Sequence, residues 1–287
     1  MAQQLDGEIV NADAMALYRG MDIGTAKPAP AERGGVVHHL LDVLAVTEPA
    51  SVAAYQRDAR AALTEIGARG HARLLVGGSG LYVSAVLQPL DFPGTDPAIR
   101  ELLNVELSEH GPGPLHERLV RVDPAAAAAI LPGNGRRIVR ALEVVELSGA
   151  PFTARLPHTR AGDSPVGPVT VLGLDLPREQ LDERIARRVA AMFAAGLVAE
   201  TRHLVAAGLR RGSTAARALG YAQVLDLLDG KCDEAAAVAA TVTATRRFAR
   251  RQLSWFRRDK ATIWLPADSP DLLERALAAV SRPTVAP

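Results

Sequence analysis

Two textures of apolar and polar positions alternate along the chain. Glu8-Ile9-Val10-Asn11-Ala12-Asp13 is a short apolar run that ends in a carboxylate, the pattern of a buried strand. Residues 1–7 before it read as the last turn of a helix, with Gly7 as the stop. A second strand is predicted over residues 72–76, ending in Gly77-Gly78-Ser79-Gly80, with a helix over residues 51–69 upstream. A third falls at residues 169–174, followed by a long helical pattern over 178–205. Strands that alternate with helices predict a parallel, doubly wound sheet.

Between the second and third strands the pattern changes. Residues 92–168 hold no good strand but show helical periodicity over 96–110, 115–129 and 136–147. This reads as a helical insertion domain at 92–168 in an α/β core formed by 1–91 and 169–287. Residues 151–168, with four prolines and two glycines, would be the flexible return.

Composition changes this picture little. The chain has 287 residues, 48% hydrophobic and 23% charged, an ordinary globular balance. One cysteine, Cys232, excludes an internal disulfide and fits a reducing compartment. The N-terminus carries no secretory pattern and no run approaches a membrane span, so a soluble cytoplasmic protein is expected.

Charge distribution says more than net charge. The chain sums to +1, yet residues 245–260 hold six arginines and a lysine against one aspartate, a local +6. On a helix, Arg247, Arg250 or Arg251, Ser254 and Arg258 would line one side and Phe248 and Trp255 another. Guanidinium groups suit phosphates, and a face so poor in acids favours an anionic partner over mere solvation. Arg136-Arg137-Ile138-Val139-Arg140 opens an insertion helix, where three arginines oppose the helix dipole unless an anion compensates. Asp13 sits where ligands bind in open α/β sheets, although an aspartate there also serves as a helix cap. The glycines of residues 77–80 either admit a ligand or simply make a tight turn. His38-His39 has no metal-ligand spacing around it; one ring is expected to be structural and the other solvent-facing.

Taken together, these blocks resemble one family, the bacterial tRNA dimethylallyltransferases. The run from Asp13 to Pro28 (DAMALYRGMDIGTAKP) resembles the family's signature. Gly77 to Tyr82, Arg137 to Glu143, Ala218-Leu219-Gly220-Tyr221 and Thr245 to Arg257 follow in the family's order, so the resemblance spans nearly the whole chain. It implies a nucleotide-kinase-like parallel sheet flanked by helices, with the helical insertion. It also implies transfer of a dimethylallyl group from dimethylallyl diphosphate to N6 of the adenosine 3′ of the anticodon in tRNA. In that reading Asp13 is the general base and Arg217 holds the leaving diphosphate, assisted by Mg²⁺. Asp13, Ala14, Met15, Ala16, Ser79, Arg100, Arg136, Arg137, Ile138, Val139, Arg140, Arg246, Arg247, Arg250 and Arg251 would face the tRNA anticodon stem-loop. A monomer that meets no membrane is expected.

Two departures from the family pattern bear on these expectations. The family opens with a strand and a Gly-x-x-x-x-Gly-Lys-Ser/Thr phosphate loop, a pattern this sequence does not contain. That implies a first strand and phosphate loop missing from the sheet, Ile9 and Val10 beside an unpaired edge, and a weakly active or inactive chain. Many members also carry a basic residue where Ala222 stands. Two other readings compete: a catalytically inactive tRNA-binding remnant, and a nucleoside or nucleotide kinase, which would have no use for the basic aromatic helix.

Overall fold

The computed structural model describes residues 1–90, 92–152 and 164–281. Contacts divide the chain into two compact units, one made of Met1–Leu87 with Asp163–Pro287 and the other of Gln88–Gly162. Most of the proline-rich return lies outside the described residues.

In the first unit, β1 (Gly7–Asn11) is preceded by a turn of 3-10 helix, Ala2–Leu5. The stop of that turn is Asp6, whose φ of 46° places it in the left-handed region, whereas Gly7 opens the strand. Next come β2 (His38–His39), α1 (Val52–Ala68), β3 (Ala72–Val76) and α2 (Gly80–Leu87). β1 lies between β2 and β3, parallel to both. Ile9 is therefore paired with His38 on one side and Leu74 on the other, and Val10 with His39 and Leu75. This corrects the expectation that these two residues flank an open edge. Among the described residues the unpaired edges fall elsewhere, because β2 and β3 each pair only with β1, and β4 (Leu172–Asp175) and β5 (Ile263–Pro266) pair only with each other. Val76 on β3 and Leu174 on β4 are each about half exposed.

The two histidines missed as a strand are both half-buried in β2, so neither is the expected solvent-facing ring. His39 Nε2 lies 2.6 Å from Glu8 Oε2, and Arg69 at the end of α1 grips the same carboxylate. Those two partners hold the Glu8 carboxyl below its ordinary range. Between β1 and α1 lies an apolar cluster that includes Val10, Ala59, Leu63 and Ile66.

Helices α7 (Arg178–Ala194), α8 (Leu197–Ala206), α9 (Tyr221–Leu228) and α10 (Glu234–Phe256) connect β4 to β5, and α11 (Leu272–Ser281) follows. The single helical pattern over 178–205 is thus two helices, broken where Gly196 takes a φ of 101°. Among the described residues no single helix is long and apolar enough to cross a membrane. α7 and α8 satisfy that test only as a pair bent by 61°, and their apolar residues Ile185, Val189, Leu197 and Leu204 are core.

Among the described residues, the regular elements of the second unit are all helices: α3 (Pro97–His110), α4 (Pro112–Val122), α5 (Pro124–Ala129) and α6 (Gly135–Ser148). The predicted helix over 115–129 is split, because the residue before Pro124 is disfavoured from the α region; Asp123 takes φ −148° and ψ 80° and caps α5 through Ala126 N. Beside the apolar cluster of Leu103, Leu115, Leu119, Ile138 and Leu142 lies one wholly buried carboxylate, Glu143. It accepts from Asp96 N at 3.1 Å, from Arg100 Nε at 3.2 Å and from Arg140 Nη1 at 2.8 Å. Arg140 also donates to the carbonyls of Pro93 and Gly94, which ties the entry of the unit to α6.

Burial raises the Glu143 pKa, but the guanidinium groups of Arg100 and Arg140 outweigh it and leave the carboxyl below its ordinary value. A group depressed in this way contributes stability that is complete above its unfolded pKa, roughly 4.3. That contribution is lost as pH falls through the lower folded value. Glu143→Gln should cost about 1–3 kcal/mol near neutrality and flatten the acid limb. Thermal melts followed by circular dichroism from pH 3 to pH 7 check this, and equal acid limbs in both proteins would contradict it.

Candidate active site

Beyond Asn11 the chain leaves β1 as a turn rather than a helix. Asp13 therefore caps no helix; its Oδ1 accepts from Met15 N at 2.8 Å, closing a local turn. Asn11 holds the residue from behind, its Oδ1 accepting from Asp13 N at 3.0 Å and its Nδ2 donating to the carbonyls of Asp13 and Leu40. The second carboxylate oxygen, Oδ2, has no hydrogen-bond partner among the described residues, and Asp13 is half-exposed. One oxygen is thus fixed in place and the other is left open.

The glycine turn after β3 meets this turn directly. Ser79 Oγ accepts from Ala14 N at 3.1 Å, Ser79 N donates to Ala12 O, and Ala12 N donates to Val76 O. A Cβ at Gly77 would lie 2.2 Å from the Ala12 carbonyl carbon, so only glycine lets the two strand ends approach. Gly78 and Gly80 serve α10 instead: Gln252 Nε2 donates to Gly78 O at 2.9 Å, and a Cβ at Gly80 would strike the Trp255 ring at 2.4 Å. These glycines make room for protein, as the tight-turn reading requires. Below it, Tyr55 Oη donates to Asn11 O and its ring packs 4.5 Å from Tyr82. Burial pushes the Tyr82 phenol up to about 12, with smaller contributions from Tyr18 and the Asp13 charge.

With Gln252 and Trp255 seated on the glycine turn, α10 leaves Arg247, Arg250 and Arg251 exposed. Arg251 stacks on Phe248 and Arg258 on Trp255, each 5.9 Å from the ring centroid. Arg246 and Arg257 are engaged internally. Arg246 donates to Asp182 O at 3.2 Å, and Arg257 pairs with Asp175 at 3.0 Å.

The signature run continues as a loop pinned by Lys27, whose side chain is 3% exposed. Its Nζ reaches Asp22 at 2.7 Å, Asp42 at 2.5 Å and the Tyr18 carbonyl at 2.8 Å. Arg217 is exposed at the end of a 3-10 turn, Ala215–Arg217, and has no ion pair with a described residue. Ala215 and Ala218 on either side of it are buried in one cluster with Tyr18, Met21 and Tyr221, so its turn packs against the signature loop.

Other predicted contacts have side chains directed inward. Ala16 is buried, and in the second unit Ile138 and Val139 are core, so these three can offer a partner only backbone. Arg100 and Arg140 are bound to Glu143, whereas Arg136 and Arg137 stand exposed on the first turn of α6. Sequence reasoning missed Lys27 and Gln252. A lone lysine among turn residues and a glutamine amid arginines carry no periodic signal.

A half-free carboxylate at the end of a parallel strand, with an arginine-faced helix docked on the adjoining turn, defines an α/β enzyme core suited to a polyanionic substrate. The family model described as IPP transferase matches residues 16–259. The tRNA dimethylallyltransferase of Salinispora arenicola (strain CNS-205) is 62% identical over 98% of this chain and 81% of its own length. That of Thermobifida fusca (strain YX) is 61% identical over 96% and 85%. The crystal structure of the tRNA isopentenylpyrophosphate transferase from Bacillus halodurans superposes with a TM-score of 0.67. It is 38% identical, covering 96% of this chain and 87% of that one. The chain belongs to the IPP transferase family.

The glycine turn yields a test of the packing. In Gly77→Ala the new methyl meets backbone, which cannot move aside, so a loss of about 1–3 kcal/mol is expected. Gly78→Ala meets only the mobile end of Gln252 and should cost less. Urea unfolding of both variants checks the order, and a reversed order would refute it.

Proposed function

We propose that the chain transfers a dimethylallyl group from dimethylallyl diphosphate to N6 of the adenosine 3′ of the anticodon in tRNA, with Asp13 as the general base. The observation that carries the assignment of Asp13 is the asymmetry of its carboxylate, one oxygen locked to Met15 N and the other unpartnered. The new bond forms between N6 and C1 of the allyl group as the C1–O bond breaks. The bonding pair leaves with the diphosphate and the N6 proton passes to Asp13 Oδ2. An exocyclic aromatic amine is a poor nucleophile, so removing its proton as the bond forms is an effective use of a carboxylate. Base-modifying enzymes take the target out of the stack, which suits a turn-borne carboxylate.

Arg217, exposed and without an ion pair to a described residue, is the group proposed to receive the leaving diphosphate. Magnesium is proposed to arrive with that diphosphate, since the ion is ordinarily held by one or two carboxylates plus phosphates and water. No group of three acidic, His or Cys side chains stands ready to cage it among the described residues. Arg247, Arg250 and Arg251 supply the phosphate grip, a term that dominates nucleic-acid affinity and weakens with salt. Membership in the IPP transferase family removes the kinase reading. The two curated relatives described above are named as transferases, and neither supports an inactive remnant.

Asp13→Asn keeps the turn but cannot take the proton, so kcat should fall by about 10²–10⁴, with tRNA affinity nearly unchanged. Single-turnover prenylation assays beside filter binding check it; wild-type turnover in the variant would remove Asp13 from the chemistry. Replacing Arg250 and Arg251 together by alanine should weaken every tRNA alike. The slope of log K against log salt should also flatten by roughly 1–2 units. An unchanged slope would mean these arginines do not neutralise phosphates.

A further inference from the structure

The signature loop contains a backbone cradle already filled from within. Three successive N–H groups, those of Asp22, Ile23 and Gly24, converge on the Glu200 carboxylate of α8 at 3.2, 2.9 and 3.4 Å. Such runs of N–H groups make anion sites. The fourth donor to Glu200 is the Tyr221 hydroxyl, at 2.6 Å. Tyr221 is fully buried and packs so closely on Gly24 that a Cβ there would sit 2.4 Å from its ring. Burial and then the adjacent carboxylate push the Tyr221 phenol well above its ordinary range, which keeps the O–H a donor. Tyr221 opens α9 four residues after Arg217, and the residues between are fixed by Ala218 N to Ala215 O and by Gln223 Oε1 on Gly220 N.

We infer that Glu200 is a positioning residue that fastens the Arg217 turn to the loop following Asp13, setting where the diphosphate sits relative to the base. This rests on the roles proposed above for Asp13 and Arg217. A carboxylate satisfies all four donors. An amide of the same shape offers one acceptor oxygen and turns an N–H₂ toward donors, so Glu200→Gln frees the two segments from each other without opening a cavity. Arg217 then loses its placement while the arginine face of α10 is untouched.

The test uses the purified 287-residue chain, inorganic diphosphate as probe by titration calorimetry, tRNA filter binding, single-turnover prenylation and thermal melting. In Glu200→Gln, diphosphate affinity should fall about 10-fold, the equivalent of one charge-assisted hydrogen bond. The rate of the chemical step should fall about 10²-fold, the size of effect a displacement of one ångström produces. Affinity for tRNA should stay within about 3-fold of the parent, as substitutions away from shared partners act independently. Tyr221→Phe removes the same link, so the double variant should lose little more than either single one. Diphosphate affinity and rate retained in Glu200→Gln while Arg217→Ala loses both would overturn the inference and leave the site reading intact. A lowered melting temperature with unchanged diphosphate affinity would also overturn it, since the carboxylate would then be structural only. If Arg217→Ala itself changes neither quantity, the diphosphate assignment fails, and the role of Glu200 fails with it.

Discussion

The close approach of the C-terminal ends of β1 and β3 is the constraint on which the rest of the active end depends. Gly77 permits it by having no side chain, and Ala12 and Ser79 convert the approach into three backbone-centred hydrogen bonds. Asp13 inherits its position from that lacing. So does α10, since Gln252 can reach the Gly78 carbonyl only while the turn keeps its shape. The carboxylate and the arginine face are thus placed by one piece of backbone, and neither needs a loop of its own.

Charged side chains divide into those that hold the fold and those that stand exposed without an ion pair to a described residue. Lys27, Arg69, Arg100, Arg140, Arg246 and Arg257 are all paired with carboxylates of the same unit. Arg136, Arg137, Arg217, Arg247, Arg250 and Arg251 are exposed instead. Buried or half-buried pairs of the first kind contribute specificity of arrangement more than net stability. The second kind form no ion pair with a described residue, so an incoming anion would have no such partner to displace.

Legibility in the sequence followed the range of the interactions involved. β3 and the start of α1 at Ser51 could be read because an apolar run, a helical period and a capping serine are local signals. The position of Asp13 at a strand end was equally plain. The half-free state of its carboxylate was not, since that depends on Asn11, Met15 and a turn 65 residues away. The two-residue β2 and the glycine break between α7 and α8 are too short to alter a periodicity. Arginines 100, 140 and 246 looked equivalent to their neighbours because sequence shows a charge but not the carboxylate that claims it. An unpaired edge was misplaced to β1 for a similar reason: strand order follows from the crossovers, and chain order does not reveal it.

The bond from Gln252 to Gly78 joins positions 174 apart in sequence, and this has a consequence in time. A chain is synthesised from its N-terminus, and contacts so distant pay their loop-closure entropy before they return anything. While α10 is still within the ribosome, the glycine turn has no lid, Trp255 has no seat on Gly80, and the strand ends that carry Asp13 lack their last support. The newborn protein therefore passes through an interval in which most of its core can fold but the turn that carries Asp13 is unfinished, and the segment that completes it is the arginine-faced α10.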